Sequence, residues 1–311
     1  MFSILLPAPV VGALTFILMI GAVLFWGGAM IMPAALVKLI PYPPLRRACS
    51  RWAVAMASGF AATTQMIYRL LHPTQWQLDI RAQLDPKKNY LLVCNHQSWT
   101  DILILFDVLH RRVPLPRFFL KQQLMYVPII GIGCWAMDFP FMKRHSREAI
   151  AANPALRNED LEATRRACEI YKTEPVVLVN FLEGTRFTEA KRVQKQSPHR
   201  HLLRPKAAGM SFTLNAMGEQ FDGIIDMTIA YNPTKKPLLW SWLSGDQDNL
   251  ALHLDLLPIP PELMHGDYDS DARFRERFQH WVNELWQRKD ARLERMLDQL
   301  SAPPARPAHH F

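Results

Sequence analysis

From residue 1 to residue 37 the chain carries no charged side chain. Between Pro9 and Pro33 lie about 23 residues, enough for a helix to cross a hydrocarbon core of roughly 30 Å. A cleaved signal peptide wants a basic start, a shorter apolar run and a small-residue cleavage site, whereas here Lys38, Arg46, Arg47 and Arg51 follow the apolar run. That asymmetry predicts an uncleaved anchor with the rest of the chain on the cytoplasmic side, with a cleaved signal or a buried core helix as the alternatives. A second uncharged stretch, 52–68, is bracketed by Arg51 and Arg69 and contains Gly59, Thr63, Thr64 and Gln65. It reads as a re-entrant or interfacial helix packed on the first, or as a weak second span. Residues 1–72 are therefore expected to form a membrane anchor.

After His72-Pro73 the composition becomes that of a soluble domain. Short apolar runs predict strands at 76–80, 90–94, 117–120, 175–181, 224–231 and 250–257. Helical patterns lie between several of them, at 101–109, 158–171 and 205–216, with Asn158 placed to cap and Pro205 near a first turn. Strands alternating with helices predict an α/β fold, a sheet flanked by helices, over 73–265. Residues 271–300 read as a charged amphipathic helix, and the Pro-, Ala- and His-rich end as a disordered tail, a third region over 266–311. The net charge of +8 favours anionic partners: phospholipid surfaces, phosphate-bearing substrates or nucleic acid. Cys49, Cys94, Cys134 and Cys168 are far apart, so neither a disulfide framework nor a zinc site is indicated.

The most informative stretch is Asn95-His96-Gln97-Ser98-Trp99-Thr100-Asp101, between the expected strand at 90–94 and the expected helix at 101–109. Loops at the carboxyl ends of strands are held rigidly and open to ligand. On one continuous helix, residues five apart point roughly 140° away from each other. With His96 in the turn and Asp101 in the first helical turn, however, the carboxylate can orient an imidazole base. Ser98-x-x-Asp101 before an apolar run is also a capping box, with Ser98 capping and Asp101 reaching back. Both readings stand at this point.

Three further clusters carry polar chemistry. Phe181-Leu182-Glu183-Gly184-Thr185-Arg186 follows an expected strand; Gly184 permits close backbone approach, Thr185 offers a hydroxyl and Arg186 a planar fork suited to phosphate. Glu183 and Arg186 pairing with each other is the plain alternative. Phe139-Pro140-Phe141-Met142-Lys143-Arg144 ends in two cations, and Phe118-Phe119-Leu120-Lys121 in one, each equally readable as solvated surface charge. A basic segment over 191–206 adds Lys191, Arg192, Lys195, Arg200, Arg204 and Lys206, suited to a solvated loop, an anionic lipid or a headgroup. No nucleic-acid recognition signature accompanies it, so nucleic acid is not an expected partner.

Taken in order, H-x4-D at 96–101, the aromatic segment ending in Lys143-Arg144, and F-x-E-G-T-R at 181–186 resemble three motifs of the glycerolipid acyltransferases. The nearest likeness is to the 1-acylglycerol-3-phosphate O-acyltransferase (lysophosphatidic acid acyltransferase) branch, and it covers roughly residues 88–260. Flanking residues agree, from Phe119 to Leu124, from Tyr126 to Gly131 and through Phe187-Thr188. The resemblance implies an O-acyltransferase in which His96 is the general base and Asp101 its orienting partner. Lys121, Arg144, Glu183, Gly184, Thr185 and Arg186 would form the acceptor site. It implies acyl transfer from acyl-CoA or acyl carrier protein to the sn-2 hydroxyl of 1-acyl-glycerol-3-phosphate at a bacterial inner membrane, catalytic domain towards the cytoplasm. Acylation of another lysophospholipid, or a non-catalytic lipid-binding module, are the competing readings. Lys143 departs from the acidic residue many bacterial members have there, which leaves the headgroup open. The family's fourth motif matches 224–230 only in apolar character, and no residue is assigned from it.

On this reading the acceptor hydroxyl is itself the nucleophile, so no acyl-enzyme is needed. Cys94 is expected as a buried strand residue and Ser98 as a cap. Backbone N–H groups at the helix start after Ser98 are expected to stabilise the oxyanion. No cofactor beyond the acyl thioester co-substrate is expected, and no metal, since H-x4-D lacks further clustered ligands.

Overall fold

The computed structural model describes residues 6–72, 75–142, 169–172, 174–247 and 249–301. The charge-free amino-terminal stretch is one helix, α1 (Ala8–Lys38), long and apolar enough to cross a membrane. Pro9 sits in its first turn, where a missing N–H costs nothing. Its middle turns, Val23–Ile31, are π-helical and directly precede the turn holding Pro33, which cannot donate to the ladder.

Helix α2 (Pro43–Leu71) starts nine residues before the expected stretch and returns antiparallel to α1. Gly59 is required where the two cross, because a Cβ there would lie 2.4 Å from the Trp26 ring. Trp26 Nε1 donates to Thr63 Oγ1 (3.0 Å), and Thr15 Oγ1 lies 3.1 Å from His72 Nε2 at the other end of the hairpin. One side of the pair stays apolar and exposed, including Phe16, Ile17, Leu24, Phe25, Met66 and Leu70.

Both ends of α1 touch the domain that follows. Near its start Gly12 packs under the Trp240 ring, with a Cβ position only 3.1 Å from it. At its end the buried Lys38 ammonium donates to the Trp135 and Ala136 carbonyls (3.1 and 2.9 Å) and to Asp138 Oδ1 (2.6 Å). These carbonyls close helix α4 (Ile130–Ala136), so a cation from the hairpin caps the negative end of a helix in the domain that follows.

The six-stranded sheet has the order β1-β8-β7-β2-β6-β3. Its members are β1 (Gln75–Ile80), β2 (Tyr90–Cys94), β3 (Pro116–Phe118), β6 (Val177–Asn180), β7 (Gly223–Tyr231) and β8 (Asn249–Leu257). β3, β6, β2 and β7 run parallel, while β8 and its parallel neighbour β1 run the other way. The expected strand at 117–120 is divided: Leu120 and Lys121 form β4, paired in parallel with β5 (Phe141–Met142). Strand alternation sends Tyr90, Leu92, Cys94, Ile225 and Met227 to one face, against α3 (Thr100–Leu109). Leu91, Val93, Leu178 and Ile224 face the other layer, built from α6 (Ala207–Met217) and α8 (Ala272–Ser301). The carboxyl-terminal helix is thus part of the core rather than an appendage, with Phe274, Phe278, Val282 and Trp286 fully covered. Two short helices, α5 (Glu189–Gln194) and α7 (Leu238–Ser244), follow β6 and β7. The helix expected at 158–171, with its cap Asn158, and the tail beyond 301 lie outside the described residues except at 169–171.

Candidate active site

β2, β6 and β7 are parallel neighbours, so their carboxyl ends deliver Asn95-His96, Phe181 and Tyr231 to one edge of the sheet. Asn95 continues the ladder with its side chain. Its Nδ2 donates to Ile229 O and its Oδ1 accepts from Ile229 N–H, both at 2.9 Å. The turn therefore leaves β2 from a fixed point.

His96 is then held on four sides. Its N–H donates to Glu183 Oε1 (2.9 Å) and its carbonyl accepts from Phe187 N–H (2.7 Å). The ring stacks on Phe181 at 4.1 Å between centroids, and Nδ1 lies 2.8 Å from Asp101 Oδ2. Nε2 is the ring nitrogen without a hydrogen bond among the described residues.

Asp101 is 1% exposed, and its charge is met entirely by protein donors. Oδ2 accepts from Gln97 N–H (2.6 Å) and Ser98 N–H (2.9 Å) besides facing His96. Oδ1 accepts from the Tyr231 hydroxyl (2.5 Å). The carboxylate reaching back to Ser98 is half of the capping box, so the capping and orienting readings describe one arrangement. Ser98 Oγ accepts from Thr100 N–H (3.2 Å), a local turn rather than a full cap. Burial, and then the Asp101 charge, hold the Tyr231 phenol well above its ordinary range, so it remains a donor.

The structure narrows two expectations here. The N–H groups of Gln97, Ser98, Thr100 and Asp101 are all engaged within the protein, which leaves Trp99 N–H as the one in this turn with no hydrogen bond among the described residues. Glu183 is turned into the protein: Oε1 takes His96 N–H and Oε2 takes Leu203 N–H (2.9 Å), at 1% exposure. It ties two loops together, and it does not pair with Arg186. Burial raises its carboxyl to about 7 against the two backbone N–H bonds that lower it. Cys94 is fully buried, its thiol pushed up by that burial, so it is not a thiolate nucleophile.

The cations gather around Gly184, which holds φ +65°. Lys206 Nζ lies 3.1 Å from where a Gly184 Cβ would stand, so a side chain there would crowd the ammonium as well as strain the backbone. Thr188 caps α5, accepting from Lys191 N–H (3.3 Å), and this turns Lys191 Nζ back onto Thr185 Oγ1 and Arg186 O, both at 3.0 Å. The exposed Arg186 guanidinium lies over the Trp99 ring at 5.4 Å. Trp99 belongs to the His96 turn, so this contact joins the two motifs. Lys121 is exposed and pairs with Met142 across β4 and β5, two residues before Arg144. Arg144 and Lys143 themselves lie outside the described residues. Reading the chain alone missed Asn95, Tyr231 and the role of Lys191. Tyr231 ends a strand that was recognised, but nothing local marks its hydroxyl as a partner of Asp101.

The acyltransferase family model matches residues 76–232, which contain all of this geometry. The chain is 25% identical over 252 residues to a 2-acyl-1-lysophosphatidylinositol acyltransferase of Saccharomyces cerevisiae, covering 67% of this chain and 62% of that one. It is 26% identical over 216 residues to the human 1-acyl-sn-glycerol-3-phosphate acyltransferase gamma, covering 66% and 52%. The chain thus spans less than two thirds of the length of these curated relatives. The crystal structure of the 1-acyl-sn-glycerophosphate (LPA) acyltransferase PlsC from Thermotoga maritima has the same fold, with a TM-score of 0.53, 14% identity and coverage of 92% and 97%.

Proposed function

The chain belongs to the acyltransferase family, and from that premise we propose that it transfers a fatty acyl group from an acyl thioester to the sn-2 hydroxyl of 1-acyl-glycerol-3-phosphate, giving phosphatidate. The observation that carries the proposal is His96 locked by Asp101 beside the cationic turn at Gly184. His96 Nε2 takes the hydroxyl proton as the oxygen attacks the thioester carbonyl. The C–O bond forms, the tetrahedral intermediate collapses, the C–S bond breaks, and the imidazolium returns its proton to the leaving thiolate. Asp101 stabilises the imidazolium without accepting its proton. Arg186, Lys191 and Lys206 supply positive charge for the acceptor phosphate, with Thr185 held among them. Lys121, on β4, extends that charge, and Arg144 is proposed to join it as a further acceptor-site cation. The donor is acyl-CoA or acyl carrier protein, both anionic and suited to a basic surface.

The exposed apolar side of the α1–α2 hairpin is proposed as the membrane attachment. Because both ends of α1 are tied to the catalytic domain, the hairpin lies along that domain rather than leading away from it. Tyr126, Val127, Ile130 and Ile132 expose further apolar surface around α4, and Trp99 does so in the His96 turn. This brings the site to the lipid that supplies acceptor and receives product, on the cytoplasmic side of a bacterial inner membrane. A membrane anchor at 1–72 is proposed with it, and the catalytic domain expected at 73–265 is extended through α8 to residue 301, because that helix packs into its core.

A second reading, acylation of a lysophospholipid with a bulkier headgroup, is favoured by the likeness to a lysophosphatidylinositol acyltransferase. Labelled acyl transfer into a panel of lysolipids, wild type beside His96→Ala, decides between them. Label entering lysophosphatidate only, and lost in the variant, supports the first reading. Label entering another lysolipid instead supports the second. No transfer by the wild type from either donor, or transfer persisting in His96→Ala, sinks the catalytic assignment.

A further inference from the structure

Where the end of α2 meets the end of α3 and strand β1, a cavity of about 580 Å³ opens at the surface, with Arg69, Arg111 and Arg112 in its wall. Arg69 belongs to the last turn of α2, and Arg111 and Arg112 to the turn that follows α3. All of these arginines are exposed, and none forms an ion pair among the described residues. Arg111 holds φ +61°, the left-handed conformation that a helix end usually gives to glycine, so a long cation stands where the backbone favours no side chain.

The negative charge nearby is smaller. Asp107 is the carboxylate of the wall among the described residues, and its Oδ1 is covered. The carboxyl end of α3 contributes about half a negative charge, which leaves the cavity positive by about 1.5 charges even with Asp107 ionised. Apolar surface flanks the cations. Leu78 is exposed in the wall, and on α2 the exposed Met66 and Leu70 each follow a lining residue, Gln65 and Arg69, by about 100° around the helix. Both belong to the apolar side of the hairpin. A free anion makes no use of that side, and a soluble acidic protein cannot reach it once it faces lipid.

We propose that this cavity holds the headgroup of an anionic phospholipid whose acyl chains lie along Met66 and Leu70. The proposal rests on the membrane attachment of the hairpin and is independent of acyl transfer, because the length of α3, about 15 Å, separates the cavity from the His96 turn. The guanidinium groups meet the phosphodiester and repel the choline ammonium of a zwitterionic lipid. A lipid held by Arg69 and Arg111 together ties the hairpin to the domain behind it from the membrane side.

Native mass spectrometry of the purified full-length protein, released from neutral detergent micelles doped with equal amounts of phosphatidylglycerol and phosphatidylcholine, counts the lipids retained. Phosphatidylglycerol is expected to be retained about tenfold over phosphatidylcholine, since one basic residue at an anionic lipid surface contributes about fivefold. The combined Arg69→Gln, Arg111→Gln and Arg112→Gln variant should lose the preference. Replacing Arg273, Arg288 and Arg295 by Gln, exposed arginines of α8 on the opposite face of the sheet, should keep it, and so should Arg186→Gln. Arg111→Gly separates folding from binding: it relieves the left-handed backbone, so the thermal midpoint should hold or rise while the preference falls about fivefold. A preference that survives both cavity variants, that falls equally in the α8 variant, or that disappears with Arg186→Gln alone would overturn the proposal. Displacement of the lipid by excess glycerol 3-phosphate would do so too, by marking a site for soluble phosphates. Retention of both lipids without preference overturns this site alone, whereas retention of neither overturns the attachment of the hairpin along with it.

Discussion

The Tyr231 hydroxyl donates to Asp101 Oδ1 at 2.5 Å, the one carboxylate oxygen that His96 and the turn N–H groups leave available. A residue 130 positions away thereby completes the environment of the H-x4-D carboxylate. Tyr231→Phe keeps the ring and removes the donor, leaving a buried charged oxygen without its partner. We expect kcat to fall about tenfold at unchanged KM, with about 1–3 kcal/mol lost in thermal stability. A variant with wild-type kcat would show that the hydroxyl serves packing alone.

Asp101→Asn retains an oxygen for the Gln97 and Ser98 N–H groups but removes the charge facing the imidazole. The expected result is a loss of at least about 10²-fold in kcat with KM nearly unchanged, the scale on which such carboxylates act. Steady-state kinetics over a range of acceptor concentration separates the two parameters. A rise in KM at constant kcat would instead place Asp101 in acceptor binding.

Glu183 links two loops through a carboxyl raised from 4.5 to about 7. The native state then holds that proton more tightly than the unfolded chain. Its contribution is fully present below about pH 4.5 and is lost as pH rises through about 7, amounting to at most about 3 kcal/mol. Thermal denaturation at pH steps from about 5 to 8, wild type against Glu183→Gln, reads this directly. The wild type should lose stability with rising pH relative to the variant, which cannot titrate there. Parallel curves would remove Glu183 from the pH dependence.

Lys38 is 4% exposed and ion-paired to Asp138, so Lys38→Ala leaves a half-buried carboxylate and two carbonyls without their donor. Breaking a buried pair from one side costs on the order of 3–5 kcal/mol. Limited proteolysis should report a loosened hairpin in this variant, and thermal scans a lower midpoint. Unchanged protection would mean that α1 is held by its other contacts, such as Gly12 with Trp240.

Much of the fold was legible from local pattern. The apolar run at 90–94, the helix after Asp101 and the strands at 224–231 and 250–257 follow from hydropathy over windows of a few residues, and the structure places them with ends shifted by a residue or so. The short helices α4 and α7 and the division at Phe119 were not legible, since seven residues barely complete two turns and their partners lie elsewhere in the chain.

What the sequence determined alone is whatever neighbouring residues decide among themselves: the charge-free helix, the strand–turn–helix around His96, the glycine turn at 184 and the family to which their order belongs. Tertiary structure decided which side chains those turns use. Asn95 with Ile229, Tyr231 with Asp101, Glu183 with Leu203 and Lys289 with Asp226 are joined across 134, 130, 20 and 63 positions. A hydrogen bond depends on a few tenths of an ångström, and a burial pattern records only that a residue is covered. The identity of its partner exists only once the parallel strands are in register.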